Sequence, residues 1–72
     1  MKINSTRDFG GFVKQRRKSL GYTQQYLSDF TGLSVTFISD LENGKKTIEI
    51  EKALLLANLL GLDVELKERS GS

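Results

Sequence analysis

Apolar positions along this chain keep helical spacing through four stretches, each followed by a glycine, and change to strict alternation near the carboxyl end. The first stretch sets Phe9, Phe12, Val13 and Leu20 at helical spacing, with Ser5 and Asp8 in the Ser-x-x-Asp arrangement of a capped start. Gly21 ends it. Gly10 and Gly11 lie inside, each costing about 1 kcal/mol of helix propensity relative to alanine, so the first turns are expected to be the softest part. A second, short helix begins at Thr23, whose hydroxyl can cap the free amides behind it, carries Leu27 and Phe30 inward and breaks at Gly32. A third follows at once, with Ser34 as its N-cap, Ile38 and Leu41 on its inner face and Asn43-Gly44 at its end.

The fourth helix, about Glu49 to Leu60, places Ile50, Ala53, Leu54, Ala57 and Leu60 on one face and stops at Gly61. Leu55, Leu56 and Leu59 are expected on the opposite side. A helix apolar nearly all round must be covered on both sides, and a chain of 72 residues has little to cover it with. Leu62-Asp63-Val64-Glu65-Leu66-Lys67 then alternates with period two and reads as a strand. As the sole strand it would leave a row of backbone donors and acceptors without partners. Pairing with the same strand of a second subunit about a two-fold axis removes that problem, and it covers the surplus leucines as well. Leu55, Leu56, Leu59, Leu62, Val64 and Leu66 are therefore the expected dimerisation residues, and 68–72 a frayed tail.

Composition narrows the chemistry. The chain has no cysteine and no histidine, which removes disulfides, thiolate metal sites, the commonest zinc ligand and the commonest general base. No nucleophile, base or metal cluster stands out, so an enzyme is a distant reading and no cofactor or metal is expected. The net charge of +2 is mild, but Lys14, Arg16, Arg17 and Lys18 gather early, Lys45 and Lys46 form a second group, and most carboxylates follow Asp40. Such asymmetry suggests one side that faces a polyanion. The polar start has no signal-like apolar core, and the longest apolar run, Ala53 to Ala57, is too short for a bilayer. A cytoplasmic protein without a membrane partner is expected.

Two short helices meeting across a tight turn, with small Ser28 at the crossing, Gly32 in the turn and Ile38 and Leu41 pinning the second helix, have the features of a helix-turn-helix at about 23–42. With Thr23-Gln24 and the run Ile38-Ser39-x-Leu41-Glu42-Asn43-Gly44-Lys45, the chain resembles the Xre-type, lambda-repressor-like family over roughly Phe9 to Leu60. With the terminal strand it is similar to HipB-type antitoxins within that family. The resemblance implies a mainly α, four-to-five-helix lambda-repressor-like domain spanning 1–72, with one C-terminal β-strand at about 62–67 paired across a dimer. Tyr26 departs from the family's frequent acidic capping residue, and Ser28 from its usual alanine.

On the third helix Val35, Thr36, Ser39 and Asp40 lie away from Ile38 and Leu41, where side chains of such a helix enter a major groove. Thr36 and Ser39 can exchange hydrogen bonds with base edges, the methyls of Val35 and Thr36 suit a thymine methyl, and Asp40 can accept from a cytosine amino group. A solvated polar face is the plainer alternative, and the placement inside a helix-turn-helix favours readout. Phosphate contacts are expected from the helix starts at Thr23, Gln24 and Ser34, where free amides and the dipole favour an anion, and from Asn43, Lys45 and Lys46. Arg16 and Arg17 both fall near the apolar stripe of the first helix, and spacing does not choose between them. The resemblance selects Arg17 as the partner of Glu42 in a structural ion pair; the other reading makes Arg17 a solvated phosphate binder.

The leading expectation is a sequence-specific repressor acting as a homodimer on a palindromic operator in double-stranded DNA. The narrower resemblance implies an antitoxin that regulates its own operon and binds a HipA-like kinase toxin. The alternatives are a stand-alone phage-type or metabolic regulator, and a protein-interaction module without specific DNA binding.

Overall fold

The computed structural model describes residues 2–70, so residues 71 and 72 of the expected tail lie outside it. Four helices follow in order among these residues: α1 Thr6–Ser19, α2 Gln24–Thr31, α3 Val35–Glu42 and α4 Ile50–Leu59. Three of them start on a hydroxyl. Ser5, Thr23 and Ser34 accept from the amides of Asp8, Tyr26 and Phe37 at 3.0, 2.9 and 3.0 Å, each cap contributing about 1 kcal/mol. Asp8 completes the α1 box from one residue further out, accepting from the amide of Asn4.

The ends follow an equally local logic. At Gly61 the chain turns left-handed, its amide reaches the Asn58 carbonyl, and the Leu62 amide reaches that of Ala57. This pattern closes α4 and returns Leu62 onto the core.

Val13, Leu27, Ile38, Leu41, Ala53, Leu56 and Leu60 form the buried cluster, with Phe9, Tyr22, Leu33, Phe37, Ile48 and Leu62 packed around it. Helix α3 sits in the middle of this arrangement, packed on both α1 and α2. Its central place makes the orientation of α3 a property of the whole core.

The structure departs from the sequence pattern at several positions. Leu56, assigned to the outer side of α4 and to dimerisation, is fully buried. The inner stripe of α4 is Ala53, Leu56, Ala57 and Leu60, a spacing of three, four and seven, and Ile50 stands outside it at 71 % exposure. Phe30 does not turn inward. It is 59 % exposed and stacks on Tyr26 with ring centres 6.5 Å apart, which itself lies 4.7 Å from Tyr22.

The expected strand at 62–67 is also absent: among the described residues no strand forms, and this stretch has no regular secondary structure. A ladder needs a second strand, and a single chain offers none. Leu62 packs on the core, whereas Val64 and Leu66 are exposed. Between this segment and α1 lies an open groove of about 710 Å³, lined by Ile3, Phe9, Phe12, Ala57, Leu62 and Val64 among others.

Gly10, for which the sequence supplied no role, is where α1 touches α3. A methyl group at that position would overlap the carbonyl oxygen of Leu41 and stand 2.9 Å from that of Glu42. Gly11 has nothing within 4 Å of such a position. Of two adjacent glycines, only the first is required by packing.

Candidate nucleic-acid interface

Helices α2 and α3 are joined by three residues, Gly32 to Ser34. Gly32 adopts φ 80°, a conformation disfavoured for a residue with a Cβ, and Thr31 braces the turn. Its hydroxyl donates to the Leu27 carbonyl at 2.7 Å and accepts from the Leu33 amide at 3.1 Å. The capped start of α3 follows directly, so the geometry of a helix-turn-helix is built from local bonds.

The four residues expected to read bases do not present themselves equally. Thr36 is exposed, whereas Val35, Ser39 and Asp40 are half-buried. Asp40 accepts from Lys45 Nζ at 3.4 Å, and Ser39 Oγ accepts from Asn43 Nδ2 at 3.5 Å. Both pairs lie along the second half of α3, so two of the expected base readers are tied to two of the expected phosphate binders. Lys46 is exposed. Thr23 and Ser34 use their hydroxyls as caps, which leaves the remaining first-turn amides of α2 and α3 as the anion-attracting groups at those ends.

Behind this face lies a buried polar network. Arg17 donates from Nε to Glu42 Oε2 at 2.7 Å and from Nη2 to Glu42 Oε1 at 3.0 Å, a two-pronged pair between α1 and α3. The Arg17 side chain is 9 % exposed and that of Glu42 1 %. Arg17 also donates to the Tyr22 carbonyl at 2.8 Å, and Gln24 Nε2 donates to Glu42 Oε1 at 3.1 Å. One carboxylate thus joins three helices. The hydrogen bond to Glu42 holds the guanidinium above the ordinary arginine range, against the opposing effect of burial.

Arg16, the neighbour that spacing could not separate from Arg17, has its own bond. Its Nε donates to the Leu60 carbonyl at 2.9 Å, so it caps the end of α4. Sequence reasoning also missed Thr6, whose hydroxyl donates to the Gly44 carbonyl at 2.8 Å, and the engagement of Gln24 with Glu42. Partners 38 and 18 residues apart leave no periodic signal.

A domain of this geometry belongs to the class of helix-turn-helix DNA-binding domains. The family model described as Helix-turn-helix matches residues 13–67, and the chain belongs to that family. It is 34 % identical over 65 residues to the HTH-type transcriptional regulator y4mF of Sinorhizobium fredii (strain NBRC 101917 / NGR234), covering 90 % of this chain and 86 % of that one. It is 33 % identical over 57 residues to the SPbeta prophage-derived HTH-type transcriptional regulator YonR of Bacillus subtilis (strain 168), covering 79 % of this chain and 53 % of that one. Among solved structures it is similar in fold to HipB in an O4 20mer complex, with TM-score 0.86, 24 % identity and 97 % and 99 % of the two chains covered. HipB with one substitution in an O2 20mer complex gives the same score and identity, with 97 % of each chain covered. The chain is a helix-turn-helix transcriptional regulator with a HipB-like fold. Among the described residues no helix is long and apolar enough to cross a membrane.

Proposed function

We propose that the chain is a sequence-specific repressor that binds a palindromic double-stranded DNA operator as a homodimer and reads bases with the outer face of α3. One observation carries this reading. Thr36, Ser39 and Asp40 share the solvent side of a helix whose other side is locked into the core, beside Asn43, Lys45 and Lys46. Val35 adds an apolar edge at the first turn of the same helix. A rigid helix with short polar side chains and flanking cations has the chemistry of base readout combined with phosphate anchoring. Arg17 and Glu42 act behind it as a structural clamp, and Gln24 meets the phosphate with the amide hydrogen left after its bond to Glu42.

The homodimer is supported by the apolar surface that one chain leaves uncovered: Ile3, Leu55, Leu59, Val64 and Leu66 are exposed, and Phe9, Phe12 and Leu62 line part of the groove beside α1. In the dimer the 62–67 segments pair and Leu62, already on the core, anchors them. The finer reading, an antitoxin that binds a HipA-like kinase toxin, is supported by the likeness in fold to HipB. Copurification with the product of a kinase gene next to its own tests that step, and failure to associate leaves a stand-alone regulator.

For DNA binding, a duplex enriched from a randomised pool is titrated against a scrambled duplex. The expected outcome is that Thr36→Ala and Ser39→Ala each remove about 1 to 3 kcal/mol of discrimination. Lys45→Ala is expected to weaken both duplexes alike and lower the salt dependence by about one unit. Full preference retained in both α3 variants rejects this reading face. No enrichment of any duplex rejects the function.

A further inference from the structure

The first turn of α1 lies against the loop that follows α3 and brings Arg7 to the segment that carries Lys45 and Lys46. Gly44 adopts φ 78°, and a Cβ placed on it would stand 2.6 Å from Arg7 Cα and 3.1 Å from Arg7 Cβ, so the two backbones are in direct contact. Thr6 fixes that contact through its bond to the Gly44 carbonyl. Gly10, one turn further on, lets α1 lie against the carbonyls of Leu41 and Glu42. The sequence treats residues 6–10 and 41–46 as unrelated. The fold makes them one surface.

Arg7, Lys45 and Lys46 are all exposed, and they follow or abut Gly44. Among the described residues the one ion pair in this group is that of Lys45 with Asp40, at 3.4 Å, an exposed pair of little strength. Arg7 makes no ion pair with a described residue, and its nearest acidic neighbour in sequence, Asp8, is occupied at the α1 start. An arginine reaches several ångströms beyond its Cβ and presents a planar fork suited to phosphate oxygens. Three exposed cations on backbone segments that meet at the end of α3, with one weak ion pair among them, favour a polyanion over solvent.

We infer that Arg7 is a DNA-backbone contact, held beside Lys45 and Lys46 by the Thr6–Gly44 bond, and that it adds affinity without reading sequence. This rests on the proposed DNA-binding function. The test is fluorescence anisotropy with a labelled mixed-sequence DNA duplex over a salt series, using the full chain, Arg7→Gln and Arg7→Lys, with thermal melting of each protein. Arg7→Gln is expected to lower the slope of log affinity against log salt by about 0.9, the share of one phosphate. Its deficit relative to the parent then shrinks about three- to fourfold between 50 and 200 mM salt. Arg7→Lys is expected to keep the parent slope, and all three proteins to melt together. A parent that binds with Arg7→Gln unchanged in affinity and slope overturns the inference alone. Equal losses in both variants, or a lowered melting temperature that accounts for the loss, also overturn it, because the role would then not be charge. A parent that leaves the duplex unbound at low salt removes the DNA-binding reading itself.

Discussion

The side of the molecule where α1 meets α3 and the segment 62–67 both looked like interaction surfaces in the sequence, one through its charges and the other through its alternation. In the structure the first is closed by a bidentate buried ion pair, a backbone approach at Gly10 and the Thr6–Gly44 bond. The second, beyond Leu62, makes no backbone hydrogen bond among the described residues and exposes Val64 and Leu66. Charge spacing and apolar alternation therefore report two separate things. Arg17 is a cation that the fold consumes internally to set the angle of α3, whereas the apolar side chains of 62–67 past Leu62 remain on offer. Rigidity is invested where readout is proposed, and uncovered surface is left at the opposite end of the chain.

The closed side of the molecule depends most on Glu42. Its side chain is nearly inaccessible, and removing it leaves the Arg17 guanidinium buried without a counter-charge and Gln24 without its acceptor. Glu42→Ala is expected to destabilise the fold by about 3 to 5 kcal/mol, because a stranded buried charge loses hydration with nothing in exchange. For a chain of this size that is a large share of the total. Thermal melting checks it, and a loss under 1 kcal/mol would mean that the pair is not what holds α1 to α3. Raising pH should not mimic the substitution. The pKa of Arg17 is raised on folding, so its contribution is fully present below the ordinary arginine value and is lost only as pH climbs through the still higher folded value.

A smaller effect is expected at Gly10, with Gly11 as the internal control. In a helix interior, glycine to alanine ordinarily stabilises by about 1 kcal/mol. Gly11→Ala should do so, since its methyl would meet no atom within 4 Å. Gly10→Ala should reverse the sign and cost about 1 to 3 kcal/mol, since the obstacle is the Leu41 and Glu42 backbone and α1 must move off α3 to clear it. Chemical denaturation of the two variants side by side is the measurement. Equal stabilisation by both would show that α1 and α3 are not in close contact.

How far the sequence carried this picture depends on whether the responsible contact was local. Caps at Ser5, Thr23 and Ser34, the turn at Gly32 and the inner positions Ile38 and Leu41 all depend on neighbours within a few residues, and periodicity reads them well. The errors on α4 came from an apolar run dense enough to fit two stripes. Leu56 fits either side by spacing, and it is its burial together with Ala53 and Leu60 that defines the inner face. Phe30 fits the face of Leu27 by spacing three, but the part-buried position beside Leu27 is Thr31, at spacing four. Arg16 and Arg17 were legible as costly near the core but not as to partner, because Leu60 lies 44 residues away and Glu42 25. Gly10 was opaque because close approach of two backbones has no signature in one of them.

In the open segment a substitution should hardly affect the stability of a single chain. Val64 is 48 % exposed in a stretch without regular structure, and Val64→Pro removes only an amide that the single chain does not use. At protein concentrations where the chain is monomeric, its melting temperature should therefore match the parent's, with a difference within about 0.5 kcal/mol. At higher concentration the two should part. If the 62–67 segments pair between copies, the parent's melting temperature rises with concentration because the dimer binds only folded chains, and the proline variant's stays flat for want of a ladder donor. Sedimentation at the same concentrations separates the states directly. A variant that melts well below the parent when both are monomeric would place Val64 in the core of one chain. Identical concentration dependence in both proteins would move the dimer contact away from this segment, leaving Ile3, Leu55 and Leu59 as candidates.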